Sequence, residues 1–258
     1  MIYIIGGKGF VGSAIVRACQ RRGLEYQILT RDMMEQFIGT SCELLVNANG
    51  NAKKYMAERE PLWEFDASVR SVRASLEQIH ACRYIHLSSC DVYPDCSSPD
   101  RTRENEIIDV TQQSAYGFHK YLAEQCVMRY APEWLIFRMG GFVGPNLRKN
   151  AIYDIMHGEP LRLDPQSALQ FIHVDIAADI IMEQALSKRS YEIFNLCGAG
   201  VISISEVLSA VGSGAVCEPG SPAVRYEVNI EKLAGIRAIP ESRQAVLEFI
   251  RSGEERQS

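Results

Sequence analysis

Tyr116 and Lys120, four residues apart in Tyr116-Gly117-Phe118-His119-Lys120, are of the types that move a proton on and off an oxygen atom. Both fall in a helical stretch from Ser114 to Tyr130, where the i, i+4 spacing puts them on one face. A phenol with a reference pKa of about 10 is a poor base near neutrality, and an adjacent ammonium favours its phenolate. A second set of polar groups lies in His86-Leu87-Ser88-Ser89-Cys90-Asp91-Val92-Tyr93-Pro94, where two hydroxyls, a thiol and a carboxylate follow an apolar run.

A third set is suited to phosphate. Gly6-Gly7-Lys8-Gly9-Phe10-Val11-Gly12 follows the apolar run Ile2–Ile5 directly and opens a helix. Gly6 allows a tight turn, Gly9 lets backbone approach a pyrophosphate, and Gly12 permits close packing of helix on strand. Phe10 and Val11 belong to the helix N-terminus, whose free N–H groups attract an anion. The context of strand before and helix after makes this a dinucleotide-binding cradle. The end of the next strand sets the flavour of the cofactor. Thr30 and Arg31 stand where an acidic residue would bind the ribose diol of NAD, and a guanidinium there forks onto a 2′-phosphate, so NADP is expected. Asp32, one residue on, keeps NAD as the alternative.

The elements that must hold these groups can be read from periodicity. Strands are expected at Ile2–Ile5, Tyr26–Leu29, Leu44–Asn47, Tyr84–Leu87, Leu135–Arg138 and Ile193–Leu196. Val11, Ala14, Ile15, Ala18 and Cys19 form one helix face, ended by Gly23. Further helices are expected at 62–81, 114–130, 174–187, 204–211 and 242–251, with long irregular stretches at 94–112 and 146–170. Strands alternating with helices give an α/β fold, a doubly wound Rossmann-type parallel sheet with ligands at the strands' carboxyl ends.

The spacing G-x-x-G-x-x-G, the Tyr-x-x-x-Lys pair and the Ser88-Ser89 segment together resemble the extended short-chain dehydrogenase/reductases, the nucleotide-sugar epimerase and dehydratase family. Later blocks extend the resemblance: Arg138-Met139-Gly140-Gly141-Phe142-Val143-Gly144-Pro145, Gln170-Phe171-Ile172-His173-Val174-Asp175, and Tyr191–Leu196 with Ser203-Ile204-Ser205-Glu206. The resemblance implies that Ser89, four before Tyr93, is the catalytic hydroxyl beside Tyr116 and Lys120. A strand-end turn is the other reading of both serines, and the better one for Ser88. It implies that Cys90 and Asp91 occupy the positions where relatives carry extra acid/base groups. The usual Asp-Glu of sugar 4,6-dehydratases is missing, which counts against that reaction. Asp91 then reads either as a base beside a ketone or as a solvated turn residue, and Cys90 as packing. His173 reads as a loop-positioning residue. Arg148, Lys149 and Asn150, after the Pro145 turn, fall where relatives contact substrate. Asn47-Ala48-Asn49-Gly50-Asn51-Ala52-Lys53-Lys54 departs from the family's apolar pattern: the amides of Asn47 and Asn49 suit the cofactor, and the Lys pair suits an anionic substrate.

Composition narrows the partners. With 258 residues and 47% hydrophobic content the chain can bury a core, and 27 Lys+Arg against 32 Asp+Glu is the opposite of a nucleic-acid footprint. No apolar run approaches the roughly 20 residues that span a bilayer, and the N-terminus lacks a basic leader. Eight scattered Cys, with no metal-ligand spacing, read as reduced thiols of a cytoplasmic protein.

The expected organisation is a dinucleotide-binding domain over 1–145 and 170–197 and a small, discontinuous substrate-binding lobe over 146–169 and 198–251, with a frayed tail at 252–258. The expected activity is an NAD(P)-dependent epimerase or oxidoreductase on a nucleotide-sugar, in a homodimer. An NADPH-dependent ketosugar reductase and a non-catalytic NADP-sensing protein of the same fold are the alternatives.

Overall fold

Apolar runs too short for helices become the strands of one sheet, because β-branched and leucine side chains there are covered on both faces. The structure is a computed structural model and describes residues 1–51, 53–212 and 215–253. In chain order it forms β1 (Ile2–Ile5), α1 (Phe10–Arg21), β2 (Tyr26–Leu29), β3 (Ser41–Asn47), α2 (Met56–Arg59), α3 (Pro61–Phe65), α4 (Ser71–Gln78), β4 (His80–Ser89), α5 (Ala115–Tyr130) and β5 (Trp134–Met139). The central sheet has six strands in the order β2-β1-β3-β4-β5 followed by Glu192–Leu196. Parallel register aligns Ile5 with Leu29 and with Asn47, and Asn47 with His86. This is a Rossmann-type α/β fold. It sets the ends of β1, β2, β3 and β4 along one edge, which carries the glycine turn, Thr30, Asn47 and Ser89.

Two compact units divide the chain. The first comprises 1–94, 107–139 and 178–194. Its core joins sheet and helix: Leu29, Leu45, Tyr84 and Ile136 pack with Val72, Ala123 and Val127, all nearly inaccessible. Burying one such side chain stabilises by roughly 1.5–3 kcal/mol before the cost of ordering it. The second unit comprises 95–106, 140–177 and 195–258. In it Gly141–Val143 pairs in parallel with Phe171–His173, and Ala168–Leu169 lies between Ile202–Ser203 and Arg225–Tyr226. Buried Gln170 stitches it together, donating to the carbonyls of Gly198 and Val228 and accepting from the Val228 amide.

Departures from the expected elements have local causes. The expected 62–81 helix begins in α3, passes through a wider π-type turn over Asp66–Arg70 into α4 and stops at Gln78, with a separate short α2 before it. Pro61 fits the first position of a helix but not the interior of one, so it separates α2 from α3. From His80 onward pairing with β3 prevails over helix. Within 146–170 a helix forms at Ala151–His157, because the Asn150 side chain accepts from the Tyr153 amide and caps it. Ser203 and Glu206 cap their helix as a reciprocal capping box. Ser252 closes the last helix; residues 254–258 of the expected tail lie outside the described residues. Among the described residues no helix is long and apolar enough to cross a membrane, and no cluster of His, Cys, Asp and Glu could hold a metal.

Candidate active site

The glycine turn is shaped by contacts that leave no space for side chains. Gly6 has φ +77°, and a Cβ there would lie 2.8 Å from the Ala48 carbonyl carbon. A Cβ on Gly12 would sit 2.1 Å from the Gly6 oxygen, so any larger residue would push α1 off β1. Gly9 caps α1 by backbone alone: no side chain caps this N-terminus and no acidic residue occupies its first turn. Its free N–H groups and positive end of the helix dipole therefore fit the pyrophosphate of a dinucleotide. At the end of β2, Thr30 is half-buried and Arg31 exposed. A hydrogen bond from the Thr30 side chain, then one from its own backbone, holds Asp32 below the usual carboxylate range, with the Lys8 cation adding to the effect.

The expected proton-transfer residues come from two elements. β4 ends in Ser89, whose Oγ caps the short turn Cys90–Val92 by accepting from the Asp91 amide at 3.1 Å. The same hydroxyl donates to Asp91 Oδ2 at 2.9 Å. α5 begins at Ser114, whose Oγ accepts from the Gly117 amide at 3.1 Å, so the helix register puts Tyr116 in the first turn and Lys120 one turn on. Gly117 lets this helix close on the β4 turn: a Cβ there would lie 2.0 Å from the Asp91 carbonyl oxygen. Ser89, Asp91, Tyr116 and Lys120 are thus gathered at one place.

Their surroundings perturb them. Burial, then the negative charges of Asp91 and Glu64, raises the Tyr116 phenol well above its ordinary value, and a hydrogen bond with Ser89 pulls the other way. Burial pushes Lys120 down to about 8, against the opposing pull of Glu64 and Asp91. Lys120 Nζ stands 5.3 Å from the centre of the Tyr116 ring. The Tyr116 hydroxyl donates to the Asn51 carbonyl at 3.1 Å, and Lys54 Nζ pairs with Asp91 Oδ1 at 2.6 Å. Asn51 and Lys54 of the polar segment therefore meet Tyr116 and Asp91 directly, a juxtaposition the sequence did not disclose.

The other expected residues lie as follows. Asn47 is buried, donates to Tyr84 at 2.6 Å and accepts from the Asn49 amide, while the Asn49 side chain reaches Ser71. Ser88 donates to Glu124 at 2.5 Å, and Glu124 forms a buried pair with Arg138, which also donates to Tyr93. Cys90 is fully buried and donates to the Arg138 carbonyl. Arg148 and Lys149 are exposed residues of the second unit, and Asn150 caps its helix there. His173, in the same unit, accepts from the Asp175 amide at 3.2 Å. Two groups escaped the sequence reading: Glu64, fully buried, and its partner His119. A charged residue in an amphipathic stretch reads as surface until its long-range partner is known.

Residues 2–197 match the NAD dependent epimerase/dehydratase family, and the chain belongs to this family of enzymes. Three solved structures illustrate the shared fold. MoeE5 in complex with UDP-glucose and NAD superposes with a TM-score of 0.79 at 16% identity, over 97% of this chain and 98% of that one. The UDP-glucose 4-epimerase of Thermus thermophilus, complexed with NAD, gives 0.73 at 17% identity, over 98% and 99%. The dTDP-glucose 4,6-dehydratase of Bacillus anthracis, complexed with NAD, gives 0.76 at 17% identity, over 97% and 95%. No curated protein sequence matches the chain.

Proposed function

We propose that the protein is an NAD(P)-dependent epimerase or oxidoreductase of a nucleotide-sugar, with Tyr116 as the proton-transfer residue. The observation that carries this reading is the meeting of Ser89, Asp91, Tyr116 and Lys120 in the unit that also holds the glycine turn. A nicotinamide dinucleotide, held by Gly6, Gly9, Phe10, Val11, Gly12, Thr30 and Arg31, supplies a hydride acceptor and donor when bound. Tyr116 gives its proton to a carbonyl oxygen in the reductive direction and takes the proton of a carbinol in the oxidative one. Ser89 hydrogen-bonds the same oxygen, and the Lys120 ammonium favours the phenolate. For this to happen the Tyr116 hydroxyl exchanges the Asn51 carbonyl for substrate.

Asp91 is the extra acid/base group, and its partner Lys54 is the cation that an anionic substrate would meet. The Arg31 guanidinium supports NADP; Asp32 supports NAD. MoeE5 and the two other neighbours are named with NAD, and the first with UDP-glucose, which favours a nucleotide-sugar substrate. Arg148, Lys149 and Asn150 in the second unit are the proposed substrate contacts of a substrate lobe. All eight cysteines are free thiols, in keeping with a reducing, cytoplasmic setting, and a homodimer is the proposed assembly.

The Lys54–Asp91 pair also supports a second reading, a ketosugar reductase in which Asp91 takes no part in catalysis. Asp91→Asn separates the two. Solvent deuterium uptake at an α-carbon that Asp91→Asn abolishes identifies the epimerase; net consumption of reduced cofactor that Asp91→Asn leaves intact identifies the reductase. Neither activity across a panel of nucleotide-sugars and their keto forms would sink the proposal.

A further inference from the structure

Ser88, Tyr93, Glu124 and Arg138 are buried polar residues of the first unit that take no part in the proton transfer proposed above. Glu124 and Arg138 meet side-on: Nη2 of the guanidinium donates to Oε2 at 2.8 Å and Nε to Oε1 at 3.1 Å. Taking both charges out of water costs more than their attraction commonly returns, and an apolar pair of similar volume is often as stable. Stability alone is therefore a weak reason for such a pair. The other side-chain hydrogen bonds it makes supply a better one, because they run to the segment that carries Ser89 and Asp91. Ser88, the register partner of Arg138 on the neighbouring strand, donates to Glu124 Oε1 at 2.5 Å. Tyr93, just past the Cys90–Val92 turn, accepts from Arg138 Nη1 at 2.8 Å, and the guanidinium lies 4.8 Å from the centre of its ring. Inside the turn, the Cys90 thiol donates to the Arg138 carbonyl at 3.1 Å. Ser89 and Asp91 thus fall between two residues tethered to one ion pair.

Glu124 belongs to α5, where Lys120 and Glu124 continue, at i+4 and i+8, the buried face that begins with Tyr116. We propose that Glu124 and Arg138 are positioning residues, a clamp that holds Ser88 and Tyr93 and so sets Ser89 and Asp91 against the face of α5 that carries Tyr116; this rests on the reading of Ser89 and Tyr116 given above. A misplacement of about 1 Å between reacting groups costs on the order of a hundredfold in rate, which is the precision such a clamp supplies.

The test cuts the two outer links and leaves the ion pair in place, with Ser88→Ala and Tyr93→Phe, and uses Ser88→Thr to restore a hydroxyl. Amide hydrogen exchange of the ligand-free protein, read by mass spectrometry, is expected to rise at least about tenfold in the peptide covering Ser89–Tyr93 in Ser88→Ala and Tyr93→Phe. Exchange in β1 and α1 is expected to stay unchanged, and Ser88→Thr to stay close to wild type. On the nucleotide-sugar that the wild type converts, both cutting variants are expected to lose about tenfold or more in kcat with KM within about twofold. In the background Glu124→Leu/Arg138→Met, which removes both charges together, Ser88→Ala is expected to add nothing, since that hydroxyl acts through Glu124. Wild-type exchange in both cutting variants would overturn the proposal, and so would a rise spread evenly through the first unit, because the bonds would then hold the fold and not the turn. A loosened turn with kcat unchanged, or a further effect of Ser88→Ala in the apolar background, would overturn it as well. Should that background not fold, the single variants decide alone. Exchange needs no substrate, so absence of wild-type turnover, which sinks the reading of Tyr116, still leaves the clamp tested.

Discussion

Replacing Lys120 with Met should make the protein more stable while abolishing activity. Burial depresses the ammonium from its ordinary 10.5 to about 8 in the folded protein. One pH unit corresponds to about 1.4 kcal/mol, so holding this side chain charged in the fold costs about 3 kcal/mol. The sign follows from proton counting. Between about 8 and 10.5 the unfolded chain binds the proton that the folded one has lost, so stability rises with pH across that window; below about 8 the cost is fully present. Losing the cation–π contact with Tyr116 gives back about 1 kcal/mol. Met keeps the length of the buried stem and a high helix propensity, so Lys120→Met should gain about 2 kcal/mol at pH 7. Urea unfolding of both proteins at pH 7 and pH 10 measures it, with the difference shrinking at the higher pH. A variant less stable at pH 7, with a gap independent of pH, would refute the reasoning. A destabilising charge retained at the proposed proton-transfer position would be the familiar exchange of stability for activity.

Three further outcomes are expected. His86, fully buried with neither ring nitrogen bonded among the described residues, is depressed to about 3, so the unfolded chain binds its proton first. Stability should fall on acidification between about 6.5 and 3, by up to about 5 kcal/mol, and His86→Phe should flatten that slope in pH-dependent unfolding. Gly117→Ala forces a Cβ to within 2.0 Å of the Asp91 carbonyl oxygen and should cost about 2 kcal/mol of stability together with most of the turnover, since helix and turn must separate. Unchanged turnover in a folded Gly117→Ala protein would contradict the site geometry. Arg31→Ala should weaken NADP binding at least about tenfold while leaving NAD nearly unchanged by calorimetry, the loss of one charge-assisted contact; equal losses would reverse the cofactor assignment.

The sheet was legible in the sequence because its strands are buried on both faces and read as apolar runs, from Ile2–Ile5 to Glu192–Leu196. The glycine turn was legible because each residue answers a local steric demand. Tyr116 and Lys120 were legible because they share one helix, and the family resemblance supplied Ser89. What was hidden depends on approach between segments distant in sequence. Nothing local announces that Lys54 meets Asp91, that the Asn51 carbonyl meets Tyr116, or that Glu64 lies beneath His119. The hydrogen bond from Asn47 to Tyr84 was hidden likewise, because its partner is 37 residues away. The helix at Ala151–His157 was too short for periodicity to separate it from the polar loop around it.

The central claim is that Tyr116 moves the proton in a nicotinamide-dependent reaction of a nucleotide-sugar. The most direct measurement follows the nicotinamide absorbance and sugar product when wild type and Tyr116→Phe, loaded with the cofactor identified by mass spectrometry, are mixed with nucleotide-sugars and their keto forms. Wild-type turnover that falls at least about a hundredfold in Tyr116→Phe, with cofactor affinity retained, is the predicted result. Turnover that survives the loss of the hydroxyl would contradict the claim.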